Sequence, residues 1–479
     1  MRHQERINVV KNRFVLALLV TSLLSGCTLG PKYIRPEVVS PPVFRGDTMP
    51  ATANDATSLA DLKWFEVFKD DQLQGLIRTA LVENYDLRDA VARVDAARAN
   101  LGITRADQIP NLAVGANLTT QNNSRNGGIP FPSGVSRERT FGSVAVNLLS
   151  FELDIWGRLR RSTEAARASL LAAEENRKAV ITTLVGDVSS SYFVLLELDT
   201  ELEIARRTLL SRQDSLRLIK LREQGGVATM LDVRQAEQLV YTTTQAIADL
   251  ERQIEQTENR ISLLIGKPPA EVKRGRSLIA QEAPPVVPSG LPSSLLERRP
   301  DIRAAEQNLI AANAIIGVAK AAYFPRISLT GSIGGQSNQL DTLLSGPSRT
   351  WNFIPQLTQP LFAGGRIKSN VKLSEAQRQR AVIEYERTIQ TAFREVSDAL
   401  VQQRKVREIR EQRELLVTTL RDRSRLAYLR YRGGVDTQLN ALDADRDLFN
   451  AELSLAQTRR DELLALVQLY KALGGGWQQ

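Results

Sequence analysis

One histidine, His3, and one cysteine, Cys27, are all the imidazole and thiol chemistry that the 479 residues hold. A serine or cysteine nucleophile of the usual kind needs an imidazole base beside it. Zinc, haem and iron–sulfur sites need clustered imidazole or thiolate ligands. Beyond Cys27 the chain can build none of these, and with one cysteine it can form no internal disulfide. A carboxylate- or lysine-based enzyme stays conceivable but has no supporting motif. Gly364-Gly365-Arg366 opens a helical pattern, yet it lacks the lysine and spacing of a phosphate-cradling loop. The residues thus point to no enzyme, no metal and no cofactor.

Cys27 has a different chemistry available. A basic start (Arg2, Arg6, Lys11, Arg13) leads to an apolar run, Phe14 to Leu24, too short to span a membrane, and then to Leu24-Ser25-Gly26. This is the layout of a secretory signal. Its end resembles a bacterial lipobox, so residues 1–26 are expected to be removed and Cys27 to carry a covalent lipid. A plain signal peptide cut nearby is the alternative. Thr28, rather than aspartate, favours the outer membrane by resemblance to sorted lipoproteins. One acyl chain anchors weakly, so several chains or another membrane element are expected. Removing the signal, with its four basic residues and Glu5, lowers the formal charge from +9 to +6. The remaining bases interleave with acids, as in Arg404-Lys405-Val406-Arg407-Glu408-Ile409-Arg410-Glu411, which suits a solvated helix face better than a nucleic-acid surface.

The elements that carry the rest occur twice. Shifted by 208 positions, Gly157-Arg158 falls on Gly365-Arg366, Leu221-Arg222 on Leu429-Arg430, Gly225-Gly226-Val227 on Gly433-Gly434-Val435, and Gly266 on Gly474. A fixed register over so long a stretch is an internal duplication. No proline lies between Pro132 and Pro268 or after Pro360, so each repeat can hold a long helix (about 157–223 and 366–431), a turn (224–227 and 432–435) and a second helix (about 228–265 and 436–473). At about 1.5 Å per residue the first arm is roughly 100 Å long, and such helices survive by packing lengthwise on others. Val233, Ala236, Val240, Thr243, Ile247, Leu250, Ile254, Thr257, Ile261 and Leu264 form a heptad stripe, and the last helix carries two such stripes. Two stripes imply neighbours on two sides, as in a ring of helices, although an antiparallel coiled coil fits as well.

Four segments have period two instead: about 111–120, 141–150, 326–334 and 350–358. Apolar Leu112, Val114 and Leu118, for example, alternate with Ala113, Gly115, Asn117 and Thr119. This reads either as spanning strands of an outer-membrane barrel or as a small soluble sheet. Here the repeat spacing is 215, since Pro110 matches Pro325. The domain reading is a signal peptide at 1–26, a proline-rich lipidated leader at 27–60, a first repeat at 61–269, a linker at 270–291 and a second repeat at 292–479. No hydrophobic run of about 20 residues is expected in the mature chain, so no helix should cross a membrane. Four strands cannot close a barrel, and an open sheet edge cannot face lipid. Several copies must then complete one another. Two would give eight strands and a filled interior; three would give twelve and a lumen.

The duplicated halves, the lipobox, Phe151-Glu152-Leu153-Asp154-Ile155-Trp156-Gly157-Arg158 with its repeat Gln359-Pro360-Leu361-Phe362-Ala363-Gly364-Gly365-Arg366, the Gly-Gly-Val turns and Leu439-Asn440-Ala441-Leu442-Asp443-Ala444 together resemble one family. It is the outer membrane factors, in the NodT-like lipoprotein branch of the TolC-type channels. The resemblance implies a mainly α protomer with a small transmembrane β part. In a homotrimer these protomers build a 12-stranded β-barrel continued by a 12-helix α-barrel. It implies a passive export duct served by a periplasmic membrane-fusion adaptor and an inner-membrane efflux pump, most simply of the RND type. By the same resemblance, Gly225, Gly226, Val227, Gly433, Gly434 and Val435 meet the adaptor, and Leu439, Asp443 and Arg446 form a periplasmic gate. A duct for type I protein secretion and a non-conducting structural coiled-coil lipoprotein are the alternatives.

Overall fold

The computed structural model describes residues 28–41, 43–45, 59–124, 136–281 and 292–477. Cys27, the signal segment and most of the loop between the first two strands lie outside them. In chain order the elements are α1 (Trp64–Val67), α2 (Asp71–Glu83), α3 (Tyr85–Ala106), β1 (Leu112–Asn122), β2 (Glu138–Glu152), α4 (Arg158–Gln224), α5 (Met230–Leu264), α6 (Pro292–Arg298), α7 (Pro300–Ala321), β3 (Arg326–Ser337), β4 (Arg349–Thr358), α8 (Arg366–Arg432) and α9 (Gln438–Ala472). They divide into two compact units. One comprises the described residues up to 37 with 94–173 and 305–385; the other comprises 38–93, 174–304 and 386–477.

The first unit is built around one antiparallel sheet in the order β1-β2-β3-β4. Its register sorts the side chains. Leu112, Val114 and Ala116 stand opposite Leu148, Val146 and Val144. Val146 stands opposite Ile333, which in turn faces Trp351, while Ile327 faces Leu357. Directly paired residues share a face, so the apolar residues of all four strands line one side. Asn117, Ser143, Ser332 and Asn352 line the other, where Ser143 donates to Asn117. Phe141, opposite Thr119, and Ile354, opposite Thr330, break this pattern on the small-polar side. Between Leu148 and Phe151 the pairing with β3 slips by one residue. This bulge switches parity, so that Phe151 joins the apolar side opposite Leu329. β1 and β2 continue past the apolar band as polar ladder, with Thr120 and Thr140 in hydroxyl contact at 3.0 Å.

Below the strands, Glu152 takes two hydrogen bonds of 2.8 Å from Arg158 and an ion pair from Arg326 at 3.2 Å. Asp154 accepts from the amides of Leu159 and Arg160, capping α4. Residues 28–37 of the proline-rich leader carry no helix or strand and are tied to this unit. Leu29 donates to the Trp156 carbonyl (3.1 Å) and accepts from Arg161 (3.0 Å), Asn313 donates to the Pro31 carbonyl, and Arg35 pairs with Glu306 at 2.9 Å.

In the second unit the long helices bury the stripes read from the sequence. Val233, Ala236, Thr243, Leu250 and Ile261 are buried on α5, and on α9 both Leu442, Phe449, Leu463 and Val467 and Ala441, Ala444, Ala465 and Leu469 are buried. One expectation is corrected. The stretch Arg158–Gln224 does hold a window long and apolar enough to cross a membrane, but 67% of that window is buried inside the chain. Val185, Val188, Tyr192, Leu195 and Leu196 are core side chains. The apolarity therefore serves helix packing, not lipid contact. Asp70 caps α2 through Gln72 and Leu73 and also accepts from the Arg276 amide and the Gln281 side chain. Burial opposes its ionisation, yet these donors hold its carboxyl below the ordinary value.

Candidate functional site

The two Gly-Gly-Val turns have one geometry. Val227 donates to the Arg222 carbonyl and Gly226 to that of Glu223, each at 2.9 Å. Val435 donates to Arg430 and Gly434 to Tyr431, each at 3.1 Å. This 6→1 and 5→2 pair is a Schellman cap, which needs a residue in the left-handed region. Gly226 and Gly434 supply it, with φ of 73° and 75°. No other atom lies within 4 Å of a Cβ placed at either position. Val227 and Val435 are exposed beside them.

Leu439, Asp443 and Arg446 lie within about 60° of arc on α9, at roughly 100° per residue. Leu439 is 51% exposed. Asp443 and Arg446 pair at 3.1 Å, and Arg446 also reaches Asp447 at 3.3 Å. The chain thus brings the three together on an open helix face. The repeat positions of Asp443 and Arg446 are Gln235 and Gln238, so only the second repeat carries charge there.

A second set of residues was not singled out from the sequence. Arg212 of α4 pairs with Asp445 of α9 at 2.7 Å, with side-chain exposures of 3% and 11%. It also donates to Thr243 of α5 at 2.6 Å and lies 5.0 Å over the Phe449 ring. Three helices are thus tied at one buried guanidinium. Nearby, Ser215 and the Tyr428 hydroxyl are 3.2 Å apart, and burial pushes the Tyr428 phenol up. Gln438 donates to the Asp232 carbonyl at 3.0 Å. The signal available in the sequence was Asp445 lying between the two apolar stripes of α9; its partner, 233 residues away, had none. Breaking this pair strands a buried carboxylate, which typically costs about 3–5 kcal/mol. Arg212→Ala is therefore expected to lower the apparent melting temperature strongly, while Arg212→Met with Asp445→Leu recovers most of the loss; calorimetry of the purified protein checks both.

Glu197 and Glu201, one turn apart on α4, are both buried; Arg460 sits 3.2 Å from Glu197 and Gln457 donates to Glu201 at 2.9 Å. Burial, then the neighbouring Glu201, pushes the Glu197 carboxyl up to about 7 from 4.5, against the pull of Arg460. A raised folded value means that the stabilising contribution is complete below pH 4.5 and is lost as pH rises towards 7. Glu197→Gln should raise the melting temperature at pH 8 and leave it unchanged at pH 4; an equal rise at both would refute the assignment.

A wall of long helices, a sheet apolar on one side and small-polar on the other, and paired helix tips define a class: a protomer of a membrane duct. Residues 76–267 and 291–475 match the family described as outer membrane efflux protein. Outer membrane protein OprJ of Pseudomonas aeruginosa is 39% identical over 474 residues, covering 97% of this chain and 96% of the relative. The toluene efflux pump outer membrane protein TtgC of Pseudomonas putida is 37% identical over 468 residues, with 97% and 96% covered. Among solved structures, the open state of the MtrE outer membrane channel of Neisseria gonorrhoeae superposes with a TM-score of 0.84 at 32% identity, over 94% of this chain and 99% of that one. This chain belongs to the outer membrane efflux protein family, and it is an outer-membrane efflux channel with the strand-and-helix protomer fold of that family.

Proposed function

We propose that the chain is the exit duct of a three-component efflux system, working as a homotrimer with an inner-membrane pump of the RND type and a periplasmic membrane-fusion adaptor. The sheet register carries this reading. All four apolar strand faces lie on one side and the edges of β1 and β4 are open, so the sheet suits lipid only when copies close it. Three copies bring twelve strands, enough for a lumen. The duct is passive and no enzyme; energy comes from the pump. It needs no cofactor, binds no nucleic acid, and is anchored to outer-membrane lipid through acylated Cys27. The Gly-Gly-Val turns receive the adaptor, and Leu439, Asp443 and Arg446 close the periplasmic tip. The toluene and antibiotic efflux named for its relatives supports small molecules as cargo over secreted proteins. A deletion strain should become several-fold more susceptible to apolar antibiotics and solvents, with complementation restoring resistance. Unchanged susceptibility together with a lost secreted protein would favour a secretion duct, and absence of ion conductance in a planar bilayer would leave a structural lipoprotein.

A further inference from the structure

The loop between β3 and β4 (338–348) does not stand clear of the sheet. Gly142 pairs with Leu118 and with Ser337, and Gly335 pairs with Val144 and with Arg349. Paired residues share a face, so all six sit on the apolar side. A Cβ at Gly142 would come to 4.0 Å from the Leu340 side chain, and one at Gly335 would collide with the Leu343 carbonyl. The loop is therefore folded back over the apolar side of the strands. Glycine inside a strand suits such a close approach of a second stretch of backbone. Short polar contacts pin the fold. The Ser337 and Thr342 hydroxyls are 2.6 Å apart, the Gln339 amide donates to Ser337 Oγ at 3.1 Å, and the Ser345 amide donates to the Thr342 carbonyl at 2.9 Å. Leu343 is buried in this arrangement, whereas Leu340 and Leu344 are each 82% exposed.

We infer that this loop is a second membrane contact: a flap seated in the outer leaflet against the outside of the barrel, with Leu340 and Leu344 among the acyl chains next to the headgroups. It rests on the reading of the apolar strand side as the lipid side. The loop joins the strand ends opposite those that lead into α4 and α8, which on that reading is the end away from the periplasm.

Three observations favour lipid as the occupant. The first is continuity, since the two bare leucines lie over the same side as Val114, Val146 and Ile333. The second is height. On β3 the apolar side runs from Ile327 to Gly335, eight residues or about 27 Å along the strand, and a tilted strand keeps only about 20 Å of that as height. The apolar band of an outer-membrane barrel is about 25 Å tall, so the strands alone fall short and the loop's leucines extend them. The third is charge. Arg349 stands in the row of Gly335, one row above the exposed Trp351, and its guanidinium has no hydrogen bond or ion pair among the described residues. Such a side chain can lift its charge to the lipid phosphates, and an aromatic residue beneath it suits the boundary of the band. Asp341 is the loop's only acid.

The test measures depth in the full-length protein, assembled in phosphatidylcholine–phosphatidylglycerol vesicles. An environment-sensitive fluorophore is placed singly at Leu340→Cys, Leu344→Cys, Val114→Cys on the strand face, or Asn122→Cys beyond the band. Each is quenched by acyl-brominated lipid from inside the bilayer or by iodide from the water. The parent chain, with Cys27 alone, is the labelling blank. Brominated lipid should quench the labels at 340, 344 and 114 at least threefold more than the label at 122, and iodide should show the reverse order. Gly335→Leu, which drives a side chain into the Leu343 carbonyl, should raise iodide access at position 344 about threefold; no change there overturns the seating of the loop on the strands. Lipid quenching at 114 with iodide quenching at 340 and 344 overturns the flap and leaves the lipid-facing strands standing. Protection of 340 and 344 from both quenchers overturns it too, and makes protein their cover. Iodide quenching at 114 as well overturns the lipid-facing reading itself.

Discussion

Reversing the charge at the α9 tip, as Asp443→Arg, is expected to raise single-channel conductance several-fold and to make cells leak apolar drugs. In the chain the Asp443–Arg446 pair is 3.1 Å long, with side chains 38% and 53% exposed respectively. Exposed pairs are worth about 0–1 kcal/mol each. A closure built from such pairs around a three-fold axis is held by little, and an adaptor can shift it by binding the open form better. The substitution sets two positive side chains one turn apart, and symmetry repeats that repulsion in every copy. The fold should survive, because both residues lie on the open side of α9 while Ala441, Leu442, Ala444 and Phe449 hold the buried side. Unchanged conductance in a correctly assembled variant would remove these residues from the gate.

Replacing both Gly226 and Gly434 with leucine is expected to abolish efflux while trimers persist. A non-glycine residue held in the left-handed region costs roughly 1–2 kcal/mol. There is open space around both Cβ positions, so within the chain the penalty is conformational and not steric. A docked adaptor would meet the new side chains directly. Asparagine tolerates this backbone region far better, so Gly226→Asn with Gly434→Asn should retain much of the activity. Full efflux with leucine at both positions, measured by dye accumulation, would refute docking at these turns; equal loss with asparagine would point to backbone damage.

The sequence by itself determined the duplication, the long helices and the four strands. Each of these is written in short-range periodicity: heptads such as Val233-Ala236-Val240, alternation such as Leu112-Val114-Leu118, and paired glycines where helices must turn. It also brought Leu439, Asp443 and Arg446 to one helix face, because spacings of three and four are fixed by helix geometry alone. Tertiary structure decided what depends on distant partners. It made the apolar stretch around Val188 and Leu195 a packed core, since only neighbouring helices distinguish that from a membrane span. It selected Arg212 and Asp445, indistinguishable in sequence from the many charged residues beside them, as a pair desolvated between three helices. The bulge at Leu148–Phe151 likewise belongs to no local signal, since which strand gains a residue is settled only when two strands far apart in the chain are laid side by side.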